Sequence, residues 1–172
     1  ISKTWQLGQK SQLVAHADAG VIYSYGNSLS APYSEQFYVG GANSIRAFAV
    51  RSIGPGSYTT DVSRLSYRDI KLQLNLEYRF NLFGSLYGAA FIDAGNVWAL
   101  RDDGYRHGAQ FKFKNVLKEM ALGTGVGIRY DLDFLVLRLD WGVGLHVPYE
   151  TGKSGFYNIP KFKDGQAIHL AI

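Results

Sequence analysis

Ile70-Lys71-Leu72-Gln73-Leu74-Asn75-Leu76-Glu77-Tyr78-Arg79-Phe80 alternates without a break: even positions are apolar, odd positions polar or charged. Successive side chains of a strand point to opposite faces, whereas a helix brings together residues three and four apart. This strict period of two therefore predicts a strand with one apolar and one polar face, and excludes a helix. Working outward, the pattern returns five more times. Gln12 to Tyr25 sets Leu13, Ala15, Ala17, Ala19 and Val21 against Gln12, His16 and Asp18. Leu86 to Trp98 sets Ile92 and its even neighbours against Tyr87, Phe91 and Asp93. Met120 to Asp131 carries Leu122, Val126 and Ile128 opposite Gly123, Gly125, Gly127 and Arg129. Phe134 to Pro148 carries Leu135 through Val147 on its odd positions, with Arg138, Asp140 and His146 facing away. Gln166 to Ile172 alternates again, with His169 on the polar side.

The connections between these six expected strands run long, short, long, short, long. The strands themselves exceed the about 5–6 residues usual in globular sheets. Short turns at one end and long loops at the other are the signature of outer-membrane barrels, and a soluble sandwich has no reason to keep it. None of the apolar-face positions is Asp, Glu, Lys or Arg, although 19% of the chain is charged. Lipid contact explains such a face, because a basic residue at mid-bilayer costs about 2–4 kcal/mol. Tyr25, Tyr78, Phe80, Tyr87, Trp98, Tyr130 and Tyr149 fall near strand ends, where an aromatic girdle is expected. The fold class expected is all-β, an antiparallel up-and-down transmembrane β-barrel. Six strands do not close one, since about eight is the usual minimum and open edges are not tolerated in lipid. The chain reads as about six strands of a larger barrel.

The longest connection, at about 27–67, is the exception among the loops. It carries Phe37, Tyr38, Ile45, Phe48, Val50 and Ile53, too much apolar surface for a solvated linker. Loops of this length are uncommon in compact domains and are usually disordered or functional. The pair Gly40-Gly41 permits a tight backbone, and Arg46 stands between apolar neighbours. We read it as a loop folded back into the barrel, carrying an arginine.

Composition sets the outer limits. The 172 residues are 47% hydrophobic and 15% aromatic, which excludes a disordered chain. Absence of cysteine rules out disulfides, thiolate metal sites and a cysteine nucleophile. The net charge of +4 is spread along the chain without a basic patch, so nucleic acid is not an expected partner. His16, His107, His146 and His169 are not spaced as metal ligands, no nucleophile-elbow motif presents a serine, and no cofactor is implied. Gly123, Gly125 and Gly127 precede no helix and are not a phosphate loop; they are expected to make room for the inserted loop.

Gly40-Gly41-Ala42-Asn43-Ser44-Ile45-Arg46-Ala47-Phe48 resembles the inward-folded loop motif of the BamA/TamA outer-membrane assembly factors, also called bacterial surface antigens. That family usually has glycine where this chain has Ala47. Phe91-Ile92-Asp93-Ala94-Gly95-Asn96-Val97-Trp98 and Asn75-Leu76-Glu77-Tyr78 resemble two strand motifs of the same family. The resemblance implies a sixteen-stranded barrel whose arginine loop joins the eleventh and twelfth strands. It makes residues 1–172 the C-terminal portion of the barrel domain, with POTRA repeats and the remaining strands upstream. It further implies that Arg46 latches to Glu77 and Asp93 across the lumen, with Gly40, Gly41, Ser44, Ile45 and Phe48 forming the loop motif.

The function so implied is non-enzymatic insertion or translocation of other proteins in the outer membrane of a Gram-negative bacterium. Partners would be outer-membrane lipids, unfolded barrel or secreted client proteins, and accessory lipoproteins or an inner-membrane partner. A passive porin-like channel, a two-partner secretion pore and the barrel of an enzyme-fused relative share the strands. A porin-like channel needs no such loop motif. The residues alone also allow Arg46 to be an ordinary surface arginine.

Overall fold

The computed structural model describes residues 1–28, 30–58 and 68–172. Residue 29 and the stretch 59–67 of the expected inward loop lie outside the described residues. A single antiparallel sheet holds β1 (Ser2–Gly8), β2 (Ser11–Val21), β3 (Ile70–Phe83), β4 (Leu86–Trp98), β5 (Ala121–Asp131), β6 (Val136–His146) and β7 (Gln166–Ala171), paired in that order. A 3-10 turn over Phe113–Asn115 runs into the short helix α1 (Val116–Glu119) ahead of β5. At about 3.3 Å per residue and a tilt near 45°, strands of 11–14 residues cross roughly 25–33 Å, the depth of a bilayer core. Short turns join β1 to β2, β3 to β4 and β5 to β6, while the connections 22–69, 99–120 and 147–165 lie at the opposite rim.

The described residues form seven strands, one more than the alternation suggests. β1 escapes the pattern because Lys3 interrupts its apolar side, which otherwise runs through Trp5 and Leu7. Lys3 lies opposite Ala15 on the outward face and sets its ammonium 5.3 Å from the Trp5 ring centroid. It is the one charge that this edge strand adds to the outward side. β2 stops at Val21, four residues short of the expected Tyr25.

Register fixes what each face carries. Leu74 stands opposite Ala17 and Ala94, and Leu76 opposite Ala15 and Ile92, an outward row that is largely exposed. The other face gathers Gln73, Asn75, Glu77, Asp93 and Arg129, all buried or half-buried. A bulge between Leu122 and Gly123 shifts the β5–β6 register, so that His146, expected inward, faces Leu122 on the outer side. Val147, expected outward, packs inward with Val39, Ile45 and Phe48. Trp98, expected in the exposed girdle, is fully buried beneath the connection 99–120.

Candidate functional site

The connection after β2 turns inward. Phe37 bridges antiparallel to Arg68, and the Phe37 ring lies over Gly20, where a Cβ would approach it to 2.4 Å. The motif then closes on itself: Gly41 N–H donates to Phe48 O at 2.9 Å, and Ser44 N–H to Gly41 O at 3.1 Å. Gly40 adopts φ +103°, and a Cβ there would lie 2.1 Å from Ala49 O, so glycine is required. Ser44 Oγ accepts from Gly40 N–H at 3.1 Å and donates to Gln73 Oε1 at 2.6 Å, tying the turn to β3.

This turn aims Arg46 at the wall. Asp93 Oδ2 accepts from the Arg46 backbone N–H at 3.0 Å and from its Nε at 2.8 Å; Asp93 Oδ1 accepts from Arg46 Nη2 and Asn75 Nδ2, each at 2.8 Å. Four donors saturate a carboxylate that is 0% exposed. Arg46 Nη1 donates to Glu77 Oε2, and the guanidinium lies over Phe91, its Cζ 3.6 Å from the ring centroid. The planar fork of arginine serves both contacts at once, which lysine does not do. Glu77 also accepts from Arg79 Nε and, at 3.1 Å, from Arg129 Nη2.

The ionic set extends beyond the residues expected from the sequence. Arg129 and Arg138 stand directly opposite each other on β5 and β6. Asp140 separates these like charges, 2.7 Å from Arg129 Nη1 and 3.3 Å from Arg138 Nε. Arg138 Nη2 then reaches the loop itself, donating to Ala42 O and Asn43 Oδ1 at 2.6 Å each. The loop is therefore held from β3 and β4 at one end of its motif and from β6 at the other. Alternation puts all these residues on the inward face, but only the inter-strand register brings them together, and that register is not written in any one strand.

Steric room is prepared in the same region. A Cβ on Gly123 would meet Ala47 Cβ at 2.3 Å, and one on Gly142 would meet Arg46 O at 2.6 Å. Gly125 instead makes room for the Phe91 ring and Gly127 for the Asp140 carboxylate, so one of the three glycines expected to admit the loop touches it directly. Ala47 is not among the positive-φ residues, which explains why alanine is accommodated where the motif usually has glycine. Val39, Ile45, Ala47, Phe48 and Ile53 pack with Val97, Ala121, Val147 and Ile159 into an apolar core at the upper rim. Among the described residues no cluster of His, Asp and Glu is arranged as a metal site.

An antiparallel wall, apolar outside and ionic inside with a loop packed on the ionic side, defines part of a transmembrane β-barrel filled from within. The Omp85 superfamily domain model matches residues 1–158, and the chain belongs to that superfamily and to the outer membrane of a Gram-negative bacterium. It is 29% identical over 105 residues to the outer membrane protein assembly factor BamA of Neisseria meningitidis serogroup B (strain ATCC BAA-335 / MC58), covering 56% of this chain and 13% of that protein. Its fold superposes on the crystal structure of BamA from Haemophilus ducreyi lacking POTRA domains 1-3 with a TM-score of 0.64 at 16% identity, over 84% of this chain and 30% of that one. The chain thus spans well under half the length of either relative.

Proposed function

We propose that this chain is the latch-bearing part of a non-enzymatic factor that inserts or translocates other proteins at the outer membrane. Residues 1–172 would be the C-terminal portion of a sixteen-stranded barrel preceded by POTRA repeats, with unfolded barrel or secreted polypeptides as clients. Accessory lipoproteins or an inner-membrane protein would assist it. The observation that carries the reading is the double use of Asp93, which accepts both the backbone N–H and the guanidinium of Arg46 in a site closed to solvent. A passive channel has no need to fix one loop so tightly. The latch, in this reading, is Arg46 on Asp93 and Glu77, supported by the motif turn through Gly40, Gly41, Ser44, Ile45 and Phe48.

The reading is tested in the complete protein reconstituted into vesicles with a denatured outer-membrane barrel as client. Arg46→Ala should lower the client assembly rate by at least about tenfold, as expected for a factor whose working geometry loses a buried charge pair of about 3–5 kcal/mol. Heat-modifiable gel mobility should report that the variant barrel itself is inserted. Assembly at the wild-type rate by an inserted Arg46→Ala protein would overturn the proposal.

A further inference from the structure

The connection between β4 and β5 joins the Arg46-bearing connection at Leu100, Arg101 and Gly108, and its stretch 111–119 then packs on the outward row of the wall. Ile70 and Trp98 face each other in the β3–β4 register on the outward row that continues through Leu72, Leu74 and Leu76. Over them lie Phe111 and Val116, with Met120 just ahead of β5. Trp98 meets Phe111 edge-on, with centroids 5.6 Å apart at 88°, and donates from Nε1 to Glu119 Oε2 at 2.7 Å. His146, turned outward by the β6 bulge, sets Nε2 3.3 Å from Lys118 O. The stretch Phe113–Glu119 is therefore packed along the lipid-facing side of the barrel, at the rim that bears the long loops.

The far side of that stretch finds no apolar partner within the described chain. Phe113 is 87% exposed and Leu117 89%, about one helical turn apart. Phe156 continues this apolar rim, stacked on His146 with centroids 5.0 Å apart. Lys112, Lys114 and Lys118 are exposed beside them, and the one carboxylate of the stretch 111–119, Glu119, is buried against Trp98. Large apolar side chains interleaved with lysines on an element lying against a lipid-facing wall make an interfacial anchor, with rings at the acyl boundary and ammonium groups at phosphate depth.

We propose that 111–118 is a membrane foot, docking the barrel rim to phosphate-bearing lipid of the outer leaflet. Continuity with the outward row of Leu72, Leu74 and Leu76 identifies the apolar half of the occupant. The three exposed lysines, with no exposed carboxylate in the stretch 111–118, identify its anionic head group. This inference rests on the barrel orientation and is independent of the Arg46 latch.

The test uses the complete protein in phosphatidylcholine vesicles with or without lipid A. The chain has no cysteine, so Leu117→Cys can carry an environment-sensitive nitrobenzoxadiazole label, with Tyr105→Cys, equally exposed in the same connection, as the water reference. Spin-labelled lipid should quench the probe at 117 several-fold more than the probe at 105, and lipid A should increase that quenching. Replacing Lys112, Lys114 and Lys118 together by glutamine should abolish the lipid A increment while leaving the basal quenching. Inorganic phosphate in solution should leave the signal unchanged. Phe113→Cys provides a second reading should the Leu117 variant fail to insert. Probes at both 113 and 117 that read like 105 in every vesicle would overturn the foot. Quenching indifferent to lipid A would overturn the phosphate recognition, and relief by inorganic phosphate would reveal a free anion site instead of a lipid contact.

Discussion

Two long connections leave the same rim, meet where Ser57 N–H donates to Gly108 O, and seat their main segments on opposite sides of one wall. The described part of the connection 22–69 goes inward, where its Arg46 donates to Asp93 and Glu77, Arg138 donates to its Ala42, and Gly123 and Gly142 leave space for its backbone. The stretch 111–119 goes outward and rests on Trp98, Ile70 and Met120, with polar ties from Trp98 Nε1 to the Glu119 carboxylate and from Asn96 Nδ2 to Glu119 O. Each connection matches the side it lies on: ionic and glycine-rich within the lumen, aromatic towards lipid. The lesson concerns what each attachment depends on. The inner seat adds a few directional bonds in a closed site to the apolar core around Ile45 and Phe48, and those bonds are lost in steps as partners are removed. The outer seat relies on apolar contact area around one large ring.

The difference can be broken at its largest element first. Trp98→Ala removes a fully buried indole, for which truncation costs about 3–5 kcal/mol. Limited tryptic digestion of the complete protein should then cleave much faster at Lys112 and Lys114, while Arg46 and Arg51 keep their wild-type rates. Equal acceleration at all four sites would mean that the two connections form one unit. A smaller effect should follow from Arg138→Gln, which removes the second hold on the loop at Ala42 and Asn43. Hydrogen bonds of a charged donor contribute about 1.5–3 kcal/mol when shielded, and this one is only half-buried. We expect a loss near the lower bound, read by chemical unfolding, with hydrogen exchange rising at 42–44 before 46–48. No change in exchange at 42–44 would reduce Arg138 to a solvated lumen charge.

Much of this was legible in the chain alone. The unbroken alternation of Ile70 to Phe80 decided the wall, because a lipid-facing strand excludes charge from every second position. The motif around Arg46 and the inward positions of Glu77 and Asp93 could be read from the same alternation together with the family resemblance. The misses have physical reasons. β1 hides because Lys3, on an edge strand, breaks the apolar row. Trp98 reads as a girdle residue because nothing in its own strand announces that Phe111 and Val116 fold back over it. His146 and Val147 exchanged sides through a bulge, which shifts register without a mark in the alternation. Arg129, Asp140 and Arg138 were visible as inward charges, yet their partnership depends on which residues of β5 and β6 stand opposite one another.

The central claim is that Arg46 and Asp93 act as one unit holding the loop inside the barrel. The most direct test is a double-mutant cycle of Arg46→Ala and Asp93→Asn in the complete protein, read by unfolding free energy and by the hydrogen-exchange rate at 44–48. Each single change should be costly, because it strands a buried group that the other normally compensates. In the double variant the second change should add little, giving a coupling energy of about 2–3 kcal/mol and the same released loop as either single variant. Additivity within about 0.5 kcal/mol, with exchange at 44–48 unchanged, would contradict the account and leave Arg46 an arginine that happens to lie near two carboxylates.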